Sequence, residues 1–190
     1  MKTIKTKLIY AFIAVSLFAC KDDDEDEPVV PVIPNEEEVI TTVRYTLTPT
    51  GGGAAAVFSF QDLDGDGGNT PVITADSIDA NITYTGSLEF FNELETPADT
   101  ITNEVLEEGD EHQVFFQINS GDFTVSYADV DKNGNPIGVS STFESNTMSG
   151  NLTITLRHEP DKAAAGVSGG DITNAGGETD IEVSFPINVR

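Results

Sequence analysis

Apolar and polar residues alternate with a period of two along most of the chain after residue 39, and this pattern restricts the fold strongly. In segments such as 82–90, 114–118 and 152–156, apolar residues recur at every second position, separated mostly by polar residues. Successive side chains of a strand point to opposite faces, so each segment has one face for a core and one for solvent. About eight such segments, separated by turns rich in Gly, Asn and Pro, predict antiparallel sheets packed face to face.

The predicted fold is therefore all-β, an antiparallel β-sandwich of the Ig-like or jelly-roll-like kind, with at most one short helix. Thr96 as N-cap and Pro97 as the first helical residue predict where that helix begins. Ile101 and Val105 would share its buried face, and Gly109 would end it. An irregular strand is the alternative, because Thr100–Asn103 are poor helix formers.

The N-terminus has the organisation of a secretory signal. Three lysines lie among the first seven residues, and the apolar stretch 8–18 follows them. That stretch is shorter than the roughly 20 residues that span a bilayer. Ala19 then precedes Cys20, the only cysteine of the chain. We expect residues 1–19 to be a lipoprotein signal peptide, cleaved between Ala19 and Cys20, with acyl chains such as palmitate on Cys20. An ordinary signal peptide that ends beside a chance cysteine is the alternative.

Residues 20–38 have the composition of a tether. Two acidic runs, 22–27 and 36–38, flank the proline-rich stretch 28–34. Like charges repel and prolines favour the extended polyproline II conformation, so this segment should be stiff. It would hold a β-sandwich domain of residues 39–190 away from a membrane.

The charge and the single cysteine exclude several classes of function. The chain has a formal net charge of −24, which excludes binding to nucleic acid or an anionic membrane surface by charge. Such a chain attracts cations or basic partners, although its charge could serve solubility alone. With Cys20 assigned to the lipid anchor, the chain offers no disulfide, no cysteine-ligated zinc and no cysteine nucleophile.

Two acidic loops are candidate calcium sites. Segments 62–67 and 129–134 both match Asp-x-Asp-x-[Asp/Asn]-Gly, the first half of an EF-hand loop. The candidate ligands are Asp62, Asp64 and Asp66 in the first loop and Asp129, Asp131 and Asn133 in the second. Neither is an EF-hand, because Ile73 and Ser140 replace the bidentate Glu at position 12. The alternative, favoured for the second loop, is that Asp, Asn and Gly serve only as turn residues.

The two histidines, His112 and His158, both fall on the predicted inward face of a strand near its end. They could share a metal ion if their strands were neighbours, whereas the alternative is a hydrogen-bonded position at the rim of the core. The sequence has no Gly-x-Ser-x-Gly nucleophile motif and no phosphate-binding glycine loop. We therefore expect no enzyme and no catalytic residues.

Several segments resemble proteins of one bacterial group. Cys20-Lys21 followed by acidic residues resembles the export signal of surface lipoproteins in Bacteroidetes-type bacteria. Segments 91–93, 111–116, 157–162 and 175–183 resemble small flavobacterial lipoproteins with no established activity. Some of these are labelled as periplasmic-binding-fold proteins, a fold that needs many βαβ units and is not expected here.

The same resemblance implies candidate sites of modification. Asp76-Ser77-Ile78 and Asp99-Thr100-Ile101 resemble the O-glycosylation sites of exported Bacteroidetes-type proteins, with Ser77 and Thr100 as the acceptors.

These observations predict a lipid-anchored, non-catalytic binding module, exposed on the outer membrane. Its partners would be the membrane, through the lipid, and a protein or glycan ligand that the sequence does not identify, with Ca²⁺ as a candidate stabilising ion. A structural or envelope-accessory lipoprotein and a surface hydrolase are the alternative functions. Attachment facing the periplasm is the alternative location.

Overall fold

Two β-sheets packed face to face form the architecture of the computed structural model, which describes residues 38–65 and 68–190. The strands are β1 Thr42–Pro49, β2 Ala56–Gln61, β3 Val72–Ala75, β4 Ser77–Ile78, β5 Thr83–Phe91, β6 His112–Ser120, β7 Phe123–Tyr127, β8 Ser140–Ser145, β9 Gly150–His158 and β10 Glu178–Val189. The predicted all-β sandwich is confirmed, with two more strands than the eight expected because the short β3 and β4 carry little alternation.

The two sheets differ in size. The larger has the order β3-β2-β1-β5-β8-β7, and the smaller has the order β4-β10-β9-β6. Neighbouring strands are antiparallel except β4, which runs parallel to β10. In the smaller sheet β9 lies between β6 and β10, so the end of β9 meets the start of both neighbours.

The core lies between the sheets and follows the period-two alternation. In β1, Val43, Tyr45 and Leu47 are fully buried, as the pattern predicts for one face of a strand. Phe58 of the larger sheet meets Phe185 of the smaller sheet edge to face, with ring centroids 6.1 Å apart. Burying a large apolar side chain stabilises the fold by about 1.5–3 kcal/mol, so these facing side chains dominate the stability of the sandwich.

The helix is shorter and starts later than predicted. It runs over Thr102–Glu107 (α1), with Ile101 at the N-cap, so the predicted start at Thr96 and Pro97 is wrong. Asn92 and Asp99 exchange two backbone hydrogen bonds of 3.0 Å, which close residues 92–99 into a loop and delay the helix. The buried face of the helix is confirmed, since Ile101 and Val105 both lie in the core.

The outer face of the smaller sheet is partly covered, which the alternation did not predict. Segment 159–177 contains two 3-10 turns, Val167–Gly169 and Ile172–Asn174. Val167 and Ala175 form a small buried cluster with Phe115. Phe115 follows the inward-facing Val114 in β6, so the cluster lies on the sheet face opposite the main core.

No helix in the described part of the chain combines the length and the apolar character needed to cross a membrane.

Lys162 connects three loops from a buried position. Its ammonium donates to the carbonyl oxygen of Gly109, to the carbonyl oxygen of Pro136 at 2.9 Å and to Asp131 Oδ2 at 3.0 Å. The residue is only 6% exposed. Burial lowers the pKa of Lys162, while the hydrogen bond and charge of Asp131 act in the opposite direction. The charged form of Lys162 is therefore stabilised by its three acceptors, and these acceptors receive a hydrogen bond from Lys162 in return.

Lys162→Ala should lower the free energy of unfolding by about 3–5 kcal/mol, because it leaves a buried carboxylate and two carbonyl groups without their donor. Lys132→Ala is the matched control: Lys132 pairs with Asp110 at 2.9 Å, but its side chain is 71% exposed. Removing it should leave the free energy of unfolding nearly unchanged, because solvent screens an exposed ion pair. Urea unfolding of both variants measures the difference, and equal losses would contradict a structural role for the buried ammonium.

Candidate metal centre and adjacent cleft

The two histidines face each other at one end of the smaller sheet. His112 begins β6 and His158 ends β9, and they are direct partners in the antiparallel register. Their rings stack with centroids 4.7 Å apart and an interplanar angle of 25°. His112 is completely buried and His158 is 6% exposed. The predicted inward orientation is confirmed, and their strands are neighbours, the condition that the sequence left open for a shared metal ion.

Asp180 joins the histidines through a β-bulge. The pairing of β10 with β9 shifts register between Thr179 and Ile181, so Asp180 is the extra residue. A bulge redirects a side chain, and the Asp180 side chain is fully buried beside both rings. Asp180 Oδ2 lies 3.9 Å from His112 Nε2, and Asp180 Oδ1 lies 3.8 Å from His158 Nδ1. Three neighbouring strands thus bring two imidazoles and one carboxylate together.

Gly177 allows β10 to approach the end of β9 just before this bulge. Its φ is +65°, in the left-handed region, and a Cβ there would lie 2.1 Å from the carbonyl oxygen of His158. Any larger residue would push the two backbones apart. The geometry of Asp180 therefore depends on a glycine three residues earlier.

His112 is held in the form that can act as a metal ligand. Burial lowers the pKa of His112 and outweighs the hydrogen bond to the Glu108 carbonyl, which acts in the opposite direction, so the neutral imidazole is favoured. Its Nδ1 lies 3.3 Å from the carbonyl oxygen of Glu108, and a proton on Nδ1 leaves the Nε2 lone pair facing Asp180. Metal-binding histidines usually donate their second N–H in this way. Within residues 38–65 and 68–190, the buried Nε2 makes no hydrogen bond.

Further acids surround His112. Glu38 and Glu108 form a second group with it, in which one potential ligand atom from each residue lies within 4.8 Å of the others. Burial raises the pKa of Glu38 to about 7, and a hydrogen bond to Glu104 and the charges of Glu104, Asp180 and Glu108 act in the same direction. Burial and the neighbouring acids therefore disfavour the charged form of Glu38, and a proton or a cation beside it relieves this.

A cleft of about 550 Å³ opens at the same end of the sandwich. Its apolar lining residues are Val39, Ile40, Phe60, Leu63, Leu94 and Ile181, and its acidic ones are Asp62, Asp64, Asp180 and Glu182. Thr41, Gly65 and Thr179 complete the described lining, which includes no Lys, Arg or His.

In the first acidic loop, the described carboxylates accept hydrogen bonds from the loop itself. Asp62 Oδ1 accepts from the backbone N–H of Asp64 at 3.2 Å and of Gly65 at 3.0 Å. Asp64 Oδ2 accepts from the backbone N–H of Asn69 at 2.9 Å and from its side-chain amide at 2.6 Å. These are the contacts of a polar turn. The third predicted ligand, Asp66, lies outside the described residues.

In the second loop, the two aspartates are also engaged. Asp129 accepts from the backbone N–H groups of Gly138 and Ser140, each at 2.7 Å. Asp131 Oδ1 accepts from the backbone N–H groups of Asn133 and Asn135, while Oδ2 is bound by Lys162.

The two acidic loops differ from the histidine site in one respect. Across the described residues, each group of three His or acidic side chains able to share a cation includes His112 or His158, and none includes these aspartates. Calcium binding at the loops stays a prediction, and at the second loop an ion would have to displace Lys162.

The remaining predicted sites are dispersed. Ser77 is exposed in β4, and Thr100 is half-buried just before α1. Ala19, Cys20 and the tether up to residue 37 lie outside the described residues. Asp180 could not be recognised from the sequence, because the bulge places it outside the period-two pattern, and neither could Glu38 and Glu108 beside His112.

Comparison of this chain with protein-family models, with curated proteins and with solved structures finds no match. The function is therefore argued from the residues and their geometry.

The raised pKa of Glu38 predicts a pH dependence of stability. The folded state binds its proton more tightly than the unfolded chain, whose Glu pKa is near 4.5. This contribution to stability is complete below about pH 4.5 and is lost as the pH rises through about 7. In metal-free buffer, Glu38→Gln should therefore reduce the loss of stability between pH 4.5 and 7.5, measured by urea unfolding. Glu107→Gln, in the exposed part of α1, is the control, and an equal effect of both variants would contradict the assignment.

Proposed function

We propose that the protein is a lipid-anchored, surface-exposed binding module, and that the cleft at the end of the sandwich binds a ligand with a cationic group and an apolar part. The observation that carries this proposal is the lining of the cleft, which combines apolar side chains with carboxylates and has no basic residue among those described.

The apolar side of the cleft supports a binding role. Val39, Leu63 and Leu94 are large apolar residues that are each about half exposed, and all three line the cleft. Clustered exposed apolar side chains are typical of interaction sites in soluble domains. The volume of about 550 Å³ is in the usual range for a small ligand or for a few side chains of a larger partner.

The acidic residues of the cleft support a ligand with a positive charge. Asp62 and Asp64 approach from the loop after β2, and Glu182 lies on β10. Carboxylates in a partly apolar cleft attract an ammonium or guanidinium group more strongly than they would in open water. An anionic ligand would meet repulsion from the same groups. Amines and basic peptide side chains therefore fit the site, and carboxylates do not.

Two probes of similar size and opposite charge test this proposal. Phenethylamine and 3-phenylpropionate are titrated into the full-length protein while the methyl signals of Ile40, Leu63, Leu94 and Ile181 are followed by NMR. We expect the amine to shift these signals and the acid to bind at least about tenfold more weakly. Equal binding of both probes, or shifts confined to methyl groups elsewhere, would overturn the proposal.

A matched pair of variants locates the charge that the amine recognises. Asp62→Asn should weaken phenethylamine binding by about threefold, the effect of one exposed ion pair. Asp122→Asn removes the same charge at the β6–β7 turn, where Asp122 accepts a hydrogen bond from Asn146, and should leave binding unchanged.

The lipid anchor has its own test. Its support is the apolar stretch followed by Ala19 and the only cysteine of the chain. Metabolic labelling with a fatty-acid analogue should disappear in Cys20→Ala and persist in the control Ser16→Ala, because acylation needs the thiol. Protease treatment of intact cells then separates surface exposure from attachment facing the periplasm. Labelling that persists without Cys20 would refute the anchor.

A further inference from the structure

We infer that His112, His158 and Asp180 bind one divalent first-row transition metal ion, which we identify as Zn²⁺, through His112 Nε2, His158 Nδ1 and a carboxylate oxygen of Asp180. This site goes beyond the cleft ligand proposed above: neither histidine lines the cleft, and Asp180, which does, is the one residue that the two sites share.

The distances suit an ion rather than direct hydrogen bonds. The carboxylate oxygens lie 3.9 Å and 3.8 Å from the two imidazole nitrogens, too far for a hydrogen bond. The three potential ligand atoms all lie within 4.8 Å of one another. Around tetrahedral zinc, with bonds of about 2.0–2.1 Å, ligand atoms are separated by roughly 3.4 Å. The two measured distances, one to each carboxylate oxygen, exceed this separation by about half an ångström.

The state of His112 supplies an independent argument. Its Nε2 is fully buried and makes no hydrogen bond within the described residues. With Nδ1 directed at the Glu108 carbonyl oxygen, the Nε2 lone pair faces Asp180 Oδ2, which is also an acceptor. A metal ion between these two atoms would give the buried Nε2 of His112 the partner that it lacks among the described residues. The Glu108 carbonyl then fixes the ring orientation, as carbonyl groups that accept from a metal-bound histidine do.

The ligand set selects the class of metal. Two imidazoles with one carboxylate suit zinc and its first-row neighbours, whereas calcium prefers a shell made entirely of oxygen ligands. Glu38 and Glu108, which form a second group with His112, add negative charge near the site. The site is thus distinct in chemistry from the calcium sites predicted at the acidic loops.

The position of the site predicts what the ion does. Its three ligands come from β6, β9 and β10, where these strands meet at one end of the sheet. An ion bound there ties the three strands together and stabilises the folded state, because it binds the native arrangement and not the separated ligands. The burial of all three side chains indicates a structural ion.

The decisive experiment uses the fact that the chain has only two histidines. Full-length, tag-free protein is treated with EDTA, dialysed, and titrated with Zn²⁺ while imidazole ¹⁵N signals are recorded. We expect one equivalent to shift Nε2 of His112 and Nδ1 of His158 together and to raise the melting temperature. Imidazole signals that do not change at saturating Zn²⁺ would overturn the proposal, and this result needs no variant to fold.

Variants then assign the third ligand. Asp180→Asn should weaken Zn²⁺ binding by about 100-fold in calorimetry. Glu178→Gln removes the same charge from the same strand, at an exposed position opposite His158, and should bind Zn²⁺ like the wild type. Equal affinities of wild type and Asp180→Asn would overturn the ligand assignment, and displacement of Zn²⁺ by Ca²⁺ at similar concentration would overturn the metal class. Amine binding in the cleft is measured on the EDTA-treated protein, where no ion occupies Asp180, so the two proposals can fail independently.

Discussion

The packing of two apolar sheet faces against each other is the interaction on which the rest of this structure depends. Contacts such as that of Phe58 with Phe185 join the sheets, and no disulfide is available in a chain whose one cysteine lies before the described domain. In β6 and β9 the inward face continues to the end of the sandwich, where polar residues replace apolar ones. His112 and His158 occupy such terminal inward positions. The candidate metal centre is therefore an extension of the core pattern and is built on the rigid part of the fold.

Segment 159–177 supplies hydrogen bonds to polar groups that are buried beside that core. It contributes Lys162, whose ammonium satisfies two carbonyl groups and Asp131. It ends at Gly177, which lets the chain enter β10 close to His158. Both features come from the connection between β9 and β10 and not from a strand. A connection of this kind has two roles, because it covers one sheet face and also sets the geometry of the site at the sheet's end.

Much of the fold could be predicted from the sequence, and the candidate site only in part. Alternation in segments such as 152–156 reports directly which side chains face a core, so the sandwich and the inward orientation of both histidines were predictable. Asp180 was not, because a bulge adds one residue and breaks the period on which the prediction rests. The helix start was misplaced because the hydrogen bonds between Asn92 and Asp99 connect residues that local propensity does not relate. Lys162 was missed for the same reason, since its three acceptors lie 26 or more residues away in the chain.

The direct pairing of His112 with His158 has a consequence for how this sheet reaches its native alignment. A slip of one residue between β6 and β9 would turn every side chain of the displaced strand to the opposite face. The two imidazoles would then lie on different sides of the sheet, and Asp180 would meet at most one of them. Only the correct alignment assembles all three groups, so an ion held by them would discriminate against mispaired strands during folding. The histidine pair would then favour the native strand register during folding, in addition to binding the ion.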